Sequence, residues 1–260
     1  MRPVLFSLFG YPISSYGFFM MLAQVVGIAL LFRLSRAGRL PLGPLLDVIL
    51  ATAFSGLVGA RLGYAFNHPE EFRGHAGLLF SLRQGGLSFY GGFPFAFLAF
   101  VTVLRWRKIP VFATSDLVAP VLPFTLGLMR IGCFLEGCCY GRPSEMPWAV
   151  TFHDPASKIA RPLLDHPVHP TQLYEAGFLF ALAVLLAVAQ RKNRLPPGVL
   201  ATFSIFAYSL YRLAADSLRG DLDPGFAGIP SLTPTQAAAL LGVLATPIVL
   251  RLCVREARRA

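Results

Sequence analysis

The sequence is poor in charged residues and lacks the short motifs of several large enzyme classes. Only 14% of its 260 residues are charged, 55% are hydrophobic, and the mean hydropathy is +0.61. So little charge excludes an ordinary soluble domain. A phosphate-binding loop, a His-Glu-x-x-His metalloprotease motif and a Gly-x-Ser-x-Gly nucleophile motif are all absent. We therefore predict no cofactor and no metal.

Apolar runs of about 20 residues, the length that spans a bilayer as a helix, recur along the chain. Seven such runs predict an all-α polytopic membrane protein, and they lie at about 15–33, 43–66, 86–104, 111–130, 171–190, 198–218 and 232–250. The first run lacks a basic flank and a small-residue cleavage site, so we interpret it as a true span and not as a signal peptide. Without long internal repeats, we predict one membrane domain over residues 1–260.

The net charge of +10 does not indicate a nucleic-acid partner, because the basic residues cluster between the apolar runs. The connections after the first, third, fifth and seventh runs are the most basic. Cytoplasmic connections of membrane proteins are enriched in Lys and Arg, so this pattern predicts an outside N-terminus and a cytoplasmic C-terminus. The clustered residues are Arg33, Arg36, Arg39, Arg105, Arg107, Lys108, Arg191, Lys192, Arg194, Arg251, Arg255, Arg258 and Arg259.

The longest connection on the predicted outer side spans residues 131–170 and is rich in Pro, His and Gly. It predicts a small head on the outer face, with a short strand at 148–152. At its end, Pro170 suits the first turn of a helix. That helix carries Gln172 and Glu175 on one side, because residues three apart are neighbours on a helix.

The stretch from Met129 to Gly141 places an arginine at the predicted end of a span, followed by three glycines. Arg130 is costly at membrane depth unless an anion binds it. Gly132 and Gly137 let the backbone bend or approach a ligand closely. One interpretation is a bent segment that holds a phosphate at the membrane face. The other is a helix end from which Arg130 extends to the headgroups.

Three of the four cysteines, Cys133, Cys138 and Cys139, fall on the predicted outer side, where disulfides are permitted. Their Cys-x4-Cys-Cys spacing matches no zinc-site template. We interpret them as structural residues, either free or disulfide-bonded. A thiol-redox membrane protein that uses the three cysteines is an alternative.

The second apolar run carries glycines at helical spacing next to an intramembrane cation. Gly56, Gly59 and Gly63 share one helix face and predict a close helix-packing surface. Arg61 lies beside that face.

Two tyrosines stand at the outer ends of their runs. Tyr90 precedes Gly91 and Gly92, which indicates either an interrupted helix entry beside a site or an aromatic residue at the membrane interface. Tyr16 has the same two interpretations, as part of a headgroup site or as an interfacial anchor.

The sixth run carries a polar stripe. Tyr208, Arg212 and Asp216 are four residues apart and therefore share one helix face. Arg212 and Asp216 could satisfy each other, or the stripe could join Arg130 to clamp a phosphate. Glu175, just inside the fifth run, is expected to pair with a cation.

Taken in order, these segments resemble the prolipoprotein diacylglyceryl transferase family over most of the chain. The resemblance is carried by Tyr16-Gly17, Gly59-Ala-Arg61-Leu-Gly63, Gly86-Leu-Ser-Phe-Tyr-Gly91-Gly92, Asp116-Leu-Val-Ala-Pro120, Arg130-Ile-Gly132, His169-Pro-Thr-Gln-Leu-Tyr-Glu175, and Tyr208 with Arg212. It implies a seven-helix protein of the bacterial inner membrane with a small periplasmic head. It also implies transfer of the diacylglyceryl group of phosphatidylglycerol to the lipobox cysteine thiol of a prolipoprotein, which forms a thioether and releases glycerol phosphate.

The resemblance further implies roles for individual residues. The predicted catalytic residues are Arg130, Arg212, Tyr90 and His169. The predicted substrate-binding residues are Arg130, Tyr16, Arg61, Gly91, Gly92, Gly132, Cys133, Tyr208 and Glu175. Tyr90, Cys133 and Cys138 stand where many members have His, Asn and Glu, so the general base is not identified. His169 is a candidate base, with a structural helix cap as the alternative.

The implied partners are phosphatidylglycerol, the prolipoprotein lipobox and membrane lipids, without nucleic acid. Two further alternatives remain at this point. One is a family paralogue that acts on a different lipid or acceptor. The other is a non-enzymatic membrane transporter, which would carry polar residues through the depth of several spans.

Overall fold

The computed structural model describes residues 1–36, 41–73, 76–81, 86–192, 195–222, 229 and 232–258, and helices dominate it. Arg39, Arg194 and Arg259 of the basic clusters lie outside the described residues. The described helices are α1 Ser15–Arg36, α2 Leu42–Asn67, α3 Pro69–Phe72, α4 Phe89–Trp106, α5 Val111–Val118, α6 Val121–Glu136, α7 Thr171–Lys192, α8 Val199–Ala215 and α9 Pro234–Ala257. Short 3-10 helices cover Ala76–Phe80, Arg161–Leu163 and Asp216–Leu218.

Five helical segments among the described residues are long and apolar enough to cross a membrane. They are α1, α2, the α5–α6 pair, α7 and α9. The apolar part of α4, Tyr90–Trp106, is shorter, and α8 has 17 residues. The predicted class, a helical membrane protein, is confirmed.

The contacts divide the chain into two compact units, one of Met1–Leu31 with Ser115–Ala260 and one of Phe32–Thr114. In the first unit, α6 packs on α7, α7 on α8, and α8 on α9. A cluster of buried apolar residues lies among these helices: Ala119, Leu182, Leu186 and Leu200. This packing fixes the helices that carry the predicted arginines.

A break between α5 and α6 falls at Ala119–Pro120, as prolines within an apolar run predict. On its α5 side, Asp116 caps α8: its Oδ2 accepts from the amide of Gly198 at 2.7 Å and its Oδ1 from the amide of Ala201 at 2.8 Å. A carboxylate is favourable there because helix N-termini carry unpaired N–H groups and a partial positive charge.

The chain begins with a hairpin that the sequence analysis did not predict. Strands β1 (Val4–Leu8) and β2 (Tyr11–Ser14) pair in antiparallel fashion. Phe9 and Gly10 connect them with positive φ angles of 50° and 81°. Such angles at both central residues are typical of a two-residue hairpin turn. The hairpin leads directly into α1.

The predicted outer segment has a small core of its own. Strands β3 (Val150–Thr151) and β4 (Pro167–Val168) pair in antiparallel fashion, so the strand predicted at 148–152 is present but shorter. A buried cluster lies beside them: Tyr140, Phe152, Ile159 and Val168. The segment begins at Gly137 and not at 131, because α6 extends to Glu136.

In the second unit, α2 packs on α4 through the predicted glycine face. A Cβ added at Gly59 would lie 2.7 Å from the carbonyl oxygen of Gly91, and one added at Gly91 would lie 2.2 Å from that of Gly59. Gly63 and Gly92 are similarly close to the facing helix. The close-packing prediction is confirmed, and Gly91 and Gly92 lie inside a continuous helix rather than at an interruption.

Candidate active site

A buried carboxylate joins the two arginines that the sequence singled out. Glu175 Oε2 lies 3.0 Å from Arg130 Nε and 3.2 Å from Arg212 Nη1. The three residues come from α7, α6 and α8, and Glu175 is only 3% exposed. The prediction that Arg130 and Arg212 meet is confirmed for two separate helices, as is the pairing of Glu175 with a cation.

The predicted stripe on α8 completes this cluster. The hydroxyl of Tyr208 donates to Glu175 Oε1 at 2.7 Å. Arg212 Nη2 forms an ion pair with Asp216 Oδ1. Thr233, which caps α9, donates to Asp216 Oδ2 at 3.2 Å. The first alternative for the stripe is confirmed, because Arg212 pairs with Asp216. Arg212 also meets Arg130 at Glu175, and the clamping of a phosphate by the two arginines stays a prediction.

The two arginines differ in how completely the protein satisfies them. Arg212 uses Nη1 and Nη2 for two carboxylates, and its side chain is 6% exposed. Arg130 contacts Glu175 through Nε alone, and its side chain is 16% exposed. Within the described ranges, the two terminal nitrogens of Arg130 form no ion pair or hydrogen bond. Arg130 therefore has donors left for an incoming anion.

The start of α7, which carries Glu175, is tied to the turn after α6. Thr171 Oγ1 donates to the carbonyl of Cys139, and Gln172 Nε2 donates to that of Cys138, both at 2.8 Å. Gln172 and Glu175 lie one turn apart on the same face of α7, as predicted. These bonds link the position of the carboxylate to the turn that follows Arg130.

The helix runs through Arg130 and bends only after Glu136. Gly137 has a φ of 83°, a left-handed conformation that glycine adopts without strain. The amides of Gly137 and Cys138 both donate to the carbonyl of Cys133, at 2.9 and 3.1 Å. A bend is therefore present in this stretch, but Arg130 pairs with Glu175 inside the protein and does not extend from a helix end.

Tyr16 lies at the start of α1, close to the end of α6. Its amide donates to Glu136 Oε2 at 3.0 Å, and its hydroxyl lies 3.9 Å from Met129 Sδ. Gly132 permits this approach, because a Cβ there would lie 2.7 Å from the Cβ of Phe19. The structure thus gives Gly132 a packing position, and its role in binding substrate stays a prediction.

Glu136 was missed by the sequence analysis. It is buried, accepts from the Tyr16 amide and binds Lys158 Nζ at 2.6 Å. The hydrogen bond to Glu136 raises the pKa of Lys158. Nothing along the chain links residues 16, 136 and 158, so no sequence spacing could have identified this contact.

The three outer cysteines lie together and are all free thiols. Their Sγ atoms are all within 4.8 Å of one another, and Cys133 is buried. Hydrogen bonds from the thiols of Cys133 and Cys138 hold the pKa of Cys139 well below its usual value. The pKa of Cys138 is raised, first by its hydrogen bond with Cys133. Cys133, a predicted substrate ligand, is thus part of a thiol cluster.

His169 has other neighbours. Its Nδ1 lies 3.3 Å from the hydroxyl of Tyr174, which also accepts from Trp148 Nε1 at 2.7 Å. The backbone of His169 exchanges hydrogen bonds with Gly141 and Arg142. Among the residues that the structure describes, no hydrogen bond joins His169 to the cluster around Glu175. Its role as a base stays a prediction.

The remaining predicted site residues, Arg61, Tyr90, Gly91 and Gly92, belong to the second unit. The guanidinium of Arg61 donates to the carbonyls of residues 78, 79, 81 and 86, at 2.5, 3.1, 3.0 and 2.9 Å. It also lies 5.2 Å from the ring centroid of Phe72. Tyr90 is in the first turn of α4 and is 44% exposed. Binding of substrate by these residues stays a prediction.

Comparison with known proteins decides the family. The chain matches the family described as Prolipoprotein diacylglyceryl transferase over residues 3–252. The chain belongs to this family. The resemblance inferred from the sequence motifs is therefore confirmed.

Several curated members of the family are similar along much of their length, and all are named phosphatidylglycerol–prolipoprotein diacylglyceryl transferase. The one from Methylocella silvestris is 36% identical over 228 residues, which cover 84% of this chain and 80% of that protein. The one from Bordetella avium is 32% identical over 225 residues, 84% of this chain and 81% of that protein. The one from Geobacter sulfurreducens is 35% identical over 174 residues, which cover 66% of this chain and 64% of that protein.

For a prolipoprotein diacylglyceryl transferase, the cluster around Glu175 supplies what binding of a phosphodiester requires. It has two guanidinium groups held by carboxylates and a tyrosine on neighbouring helices, and both terminal nitrogens of Arg130 are unpaired within the described residues. Arginine is suited to phosphate because its planar fork forms two parallel hydrogen bonds. The cluster is therefore the candidate active site.

Proposed function

We propose that this protein transfers the diacylglyceryl group of phosphatidylglycerol to the cysteine of a prolipoprotein, the first step of lipoprotein maturation. The names of its relatives and its family membership support this activity. The structural observation that supports the proposal most strongly is that Arg130 and Arg212 both pair with Glu175. The activity makes the protein a transferase.

We assign the phosphate of phosphatidylglycerol to the terminal nitrogens of Arg130, beside Glu175 and Arg212. The cluster has two guanidinium groups and the carboxylates of Glu175 and Asp216, so it is formally neutral before the lipid binds. A phosphodiester adds one negative charge and pairs with Arg130, whose two terminal nitrogens are unpaired within the described residues. Glu175 and Tyr208 then hold the guanidinium groups in place rather than contact the reacting atoms.

The chemical step breaks the bond between the diacylglyceryl carbon and the phosphate oxygen. The thiolate sulfur of the lipobox cysteine forms a thioether with that carbon, and glycerol phosphate leaves with the electron pair of the broken bond. Negative charge grows on the phosphate as the bond breaks, so arginines that are already in position lower the barrier. Loss of one such contact typically costs ~3 kcal/mol in the transition state.

The acceptor thiol must lose a proton before or during attack, because the thiolate is the nucleophile. Tyr90 is one candidate base, but a tyrosine hydroxyl is a poor base at neutral pH and a good hydrogen-bond donor. His169 is the other candidate base. We propose that Tyr90 and His169 contribute less to the rate than the two arginines. Electrostatic stabilisation of the transition state is usually the largest single contribution to catalysis.

The arrangement in the membrane forms part of the proposal. We place the protein in the bacterial inner membrane with seven spans, with α4 and α8 completing the five longer helical segments. Residues 137–170 then form a periplasmic head, and the positive-inside pattern puts the N-terminus outside and the C-terminus in the cytoplasm. Reporter fusions after Pro155 and after Arg255 should report periplasm and cytoplasm, and the opposite pattern would refute this topology.

The activity is tested by complementing a strain depleted of its own transferase and by assaying the purified protein. The assay supplies phosphatidylglycerol and a lipobox peptide, and mass spectrometry reads the addition of one diacylglyceryl group. A peptide with serine in place of the lipobox cysteine is the control and should not change in mass. Modification with phosphatidylethanolamine but not phosphatidylglycerol would instead identify a paralogous activity, and no modification at all would refute the proposal.

A further inference from the structure

The thiol cluster of Cys133, Cys138 and Cys139 is not used by the proposed transfer. Cys138 and Cys139 are adjacent in sequence and Cys133 precedes them, and the three Sγ atoms all lie within 4.8 Å of one another. Within the described ranges, these thiols are free, and they are the one group of three potential metal ligands drawn from His, Cys, Asp and Glu.

The fold brings the sulfurs together at the end of α6. Cys133 lies in the last turn of the helix, and Gly137 reverses the chain with its φ of 83°. The Cys138 amide then donates back to the Cys133 carbonyl at 3.1 Å, which puts Cys138 over the last turn. Cys139 follows with a φ of 63°, a left-handed conformation that is unfavourable for a non-glycine residue.

Neighbouring residues hold this turn in place. The carbonyls of Cys138 and Cys139 accept from Gln172 and Thr171 at the start of α7. Gly137 leaves no room for movement, because a Cβ there would lie 1.9 Å from Ser157 Oγ. The main chain of the two half-buried cysteines, Cys138 and Cys139, is thus fixed by bonds that do not involve sulfur, and the thiols stay available for another partner.

The spacing of the sulfurs suits one metal ion. Zinc–sulfur bonds of about 2.3 Å place two thiolates of a tetrahedral site roughly 3.8 Å apart. Sulfur atoms within 4.8 Å reach that distance with small side-chain movements. Three cysteine ligands without a carboxylate or histidine favour soft cations, Zn²⁺ or Cu⁺, over hard ones such as Mg²⁺ or Ca²⁺.

We propose that Cys133, Cys138 and Cys139 form a binding site for a single thiophilic metal ion, Zn²⁺ or Cu⁺. Each thiol that binds releases its proton to solvent. Three thiolates complete a trigonal Cu⁺ site, whereas Zn²⁺ takes water as a fourth ligand. Two cationic residues lie near the cluster along the fold: Arg130 is one helical turn before Cys133, and Lys158 pairs with Glu136 in the last turn of the same helix.

The test uses full-length protein purified in detergent without a polyhistidine tag, reduced and freed of metal under anaerobic conditions. Zn²⁺ and Cu⁺ are titrated separately against chromogenic competitors, and bound metal is counted by mass spectrometry. We expect one equivalent of at least one of the two ions. Replacing Zn²⁺ by Co²⁺ should add a sulfur-to-metal charge-transfer band.

Variants identify the ligands. The matched control is Cys253→Ser, because Cys253 is buried in α9 and lies outside the cluster; it should bind like the wild type. Cys138→Ser and Cys139→Ser should each lower affinity at least tenfold, as loss of a partner around a metal typically does. The triple variant of all three cysteines should bind no metal, with its thermal unfolding measured to verify that it folds.

Two results would overturn the proposal. One is wild-type protein that, fully reduced, binds neither ion above the level of the triple variant. The other is equal loss of binding in the Cys253→Ser control. Because the readouts are metal content and spectra, the outcome is independent of whether the protein transfers diacylglyceryl groups.

Discussion

Arginine is buried in both compact units of the protein, but it is neutralised in different ways. In the first unit, Arg130 and Arg212 share the carboxylate of Glu175, and Arg212 also pairs with Asp216. In the second unit, Arg61 is surrounded by main-chain carbonyls and the rings of Tyr64 and Phe72. All three side chains come from apolar helices.

We propose that this difference separates a binding role for Arg130 from a structural role for Arg61. The carbonyls of residues 78, 79, 81 and 86 surround the guanidinium of Arg61 and tie these residues to α2. A charged side chain that is saturated in this way stabilises the fold and has little left to offer a ligand. Arg130 keeps its terminal nitrogens unpaired within the described part of the chain, which is the arrangement that an anion site requires.

The largest effect is expected for Glu175→Gln. The amide keeps the size of the side chain but leaves Arg130 without a paired carboxylate. Breaking a buried ion pair by removing one partner costs about 3–5 kcal/mol. The thermal unfolding temperature in detergent should therefore fall strongly, and the rate of diacylglyceryl transfer should fall as well. Glu145→Gln, at an exposed position in the outer segment, is the control and should leave both unchanged. An unfolding temperature equal to that of the wild type would show that Glu175 does not hold the cluster.

A smaller loss, in stability alone, is expected for Arg61→Lys. Lysine keeps the charge but cannot reproduce the fork that reaches several carbonyls at once. Loss of one or two hydrogen bonds to a charged group costs about 2–3 kcal/mol. Transfer per folded molecule should be retained. A variant that folds stably but no longer transfers would support the substrate-binding role predicted for Arg61 from the sequence. It would contradict the assignment of a structural role to this arginine.

Arg130→Lys should act on the reaction rather than on the fold. The charge next to Glu175 stays, but the two parallel hydrogen bonds to a phosphate are lost. We expect transfer to slow about tenfold, close to 1.4 kcal/mol, with little change in unfolding. Initial rates at saturating lipobox peptide measure this effect. A rate equal to that of the wild type would mean that the phosphate does not form two parallel hydrogen bonds with the Arg130 guanidinium.

The smallest effect is expected for Tyr90→Phe. This change removes only a hydroxyl from a half-exposed side chain at the start of α4. If Tyr90 positions substrate without serving as the base, the rate should fall less than in Arg130→Lys. The pH dependence of transfer should keep its shape. A loss of a hundredfold or more would instead identify Tyr90 as the base.

The sequence predicted the arginine cluster because its spacing is local on each helix. Tyr208, Arg212 and Asp216 are four apart, so helical periodicity alone put them on one face. The glycines of α2 were predictable for the same reason. The helix that packs on this glycine face was not predicted. Gly91 and Gly92 were interpreted either as an interrupted helix entry or as neighbours of an interfacial tyrosine, whereas helix crossing places them against α2.

Two other contacts between distant parts of the chain could not be predicted. Glu136 meets Tyr16 across 120 positions, and Asp116 meets Gly198 across 82. The cysteine cluster depends on a backbone reversal at Gly137 that the Cys-x4-Cys-Cys spacing does not reveal. The hairpin at Val4–Ser14 was missed because its strands are short and precede a long apolar run.

The most direct test of the central claim is the rate of transfer from phosphatidylglycerol to a lipobox peptide by Arg130→Ala. The matched control is Arg161→Ala, which removes an exposed arginine of the outer segment. If the terminal nitrogens of Arg130 bind the phosphate, transfer should fall roughly 10²–10³-fold in Arg130→Ala, and the control should be unaffected. A folded Arg130→Ala protein that transfers at the wild-type rate would contradict the account.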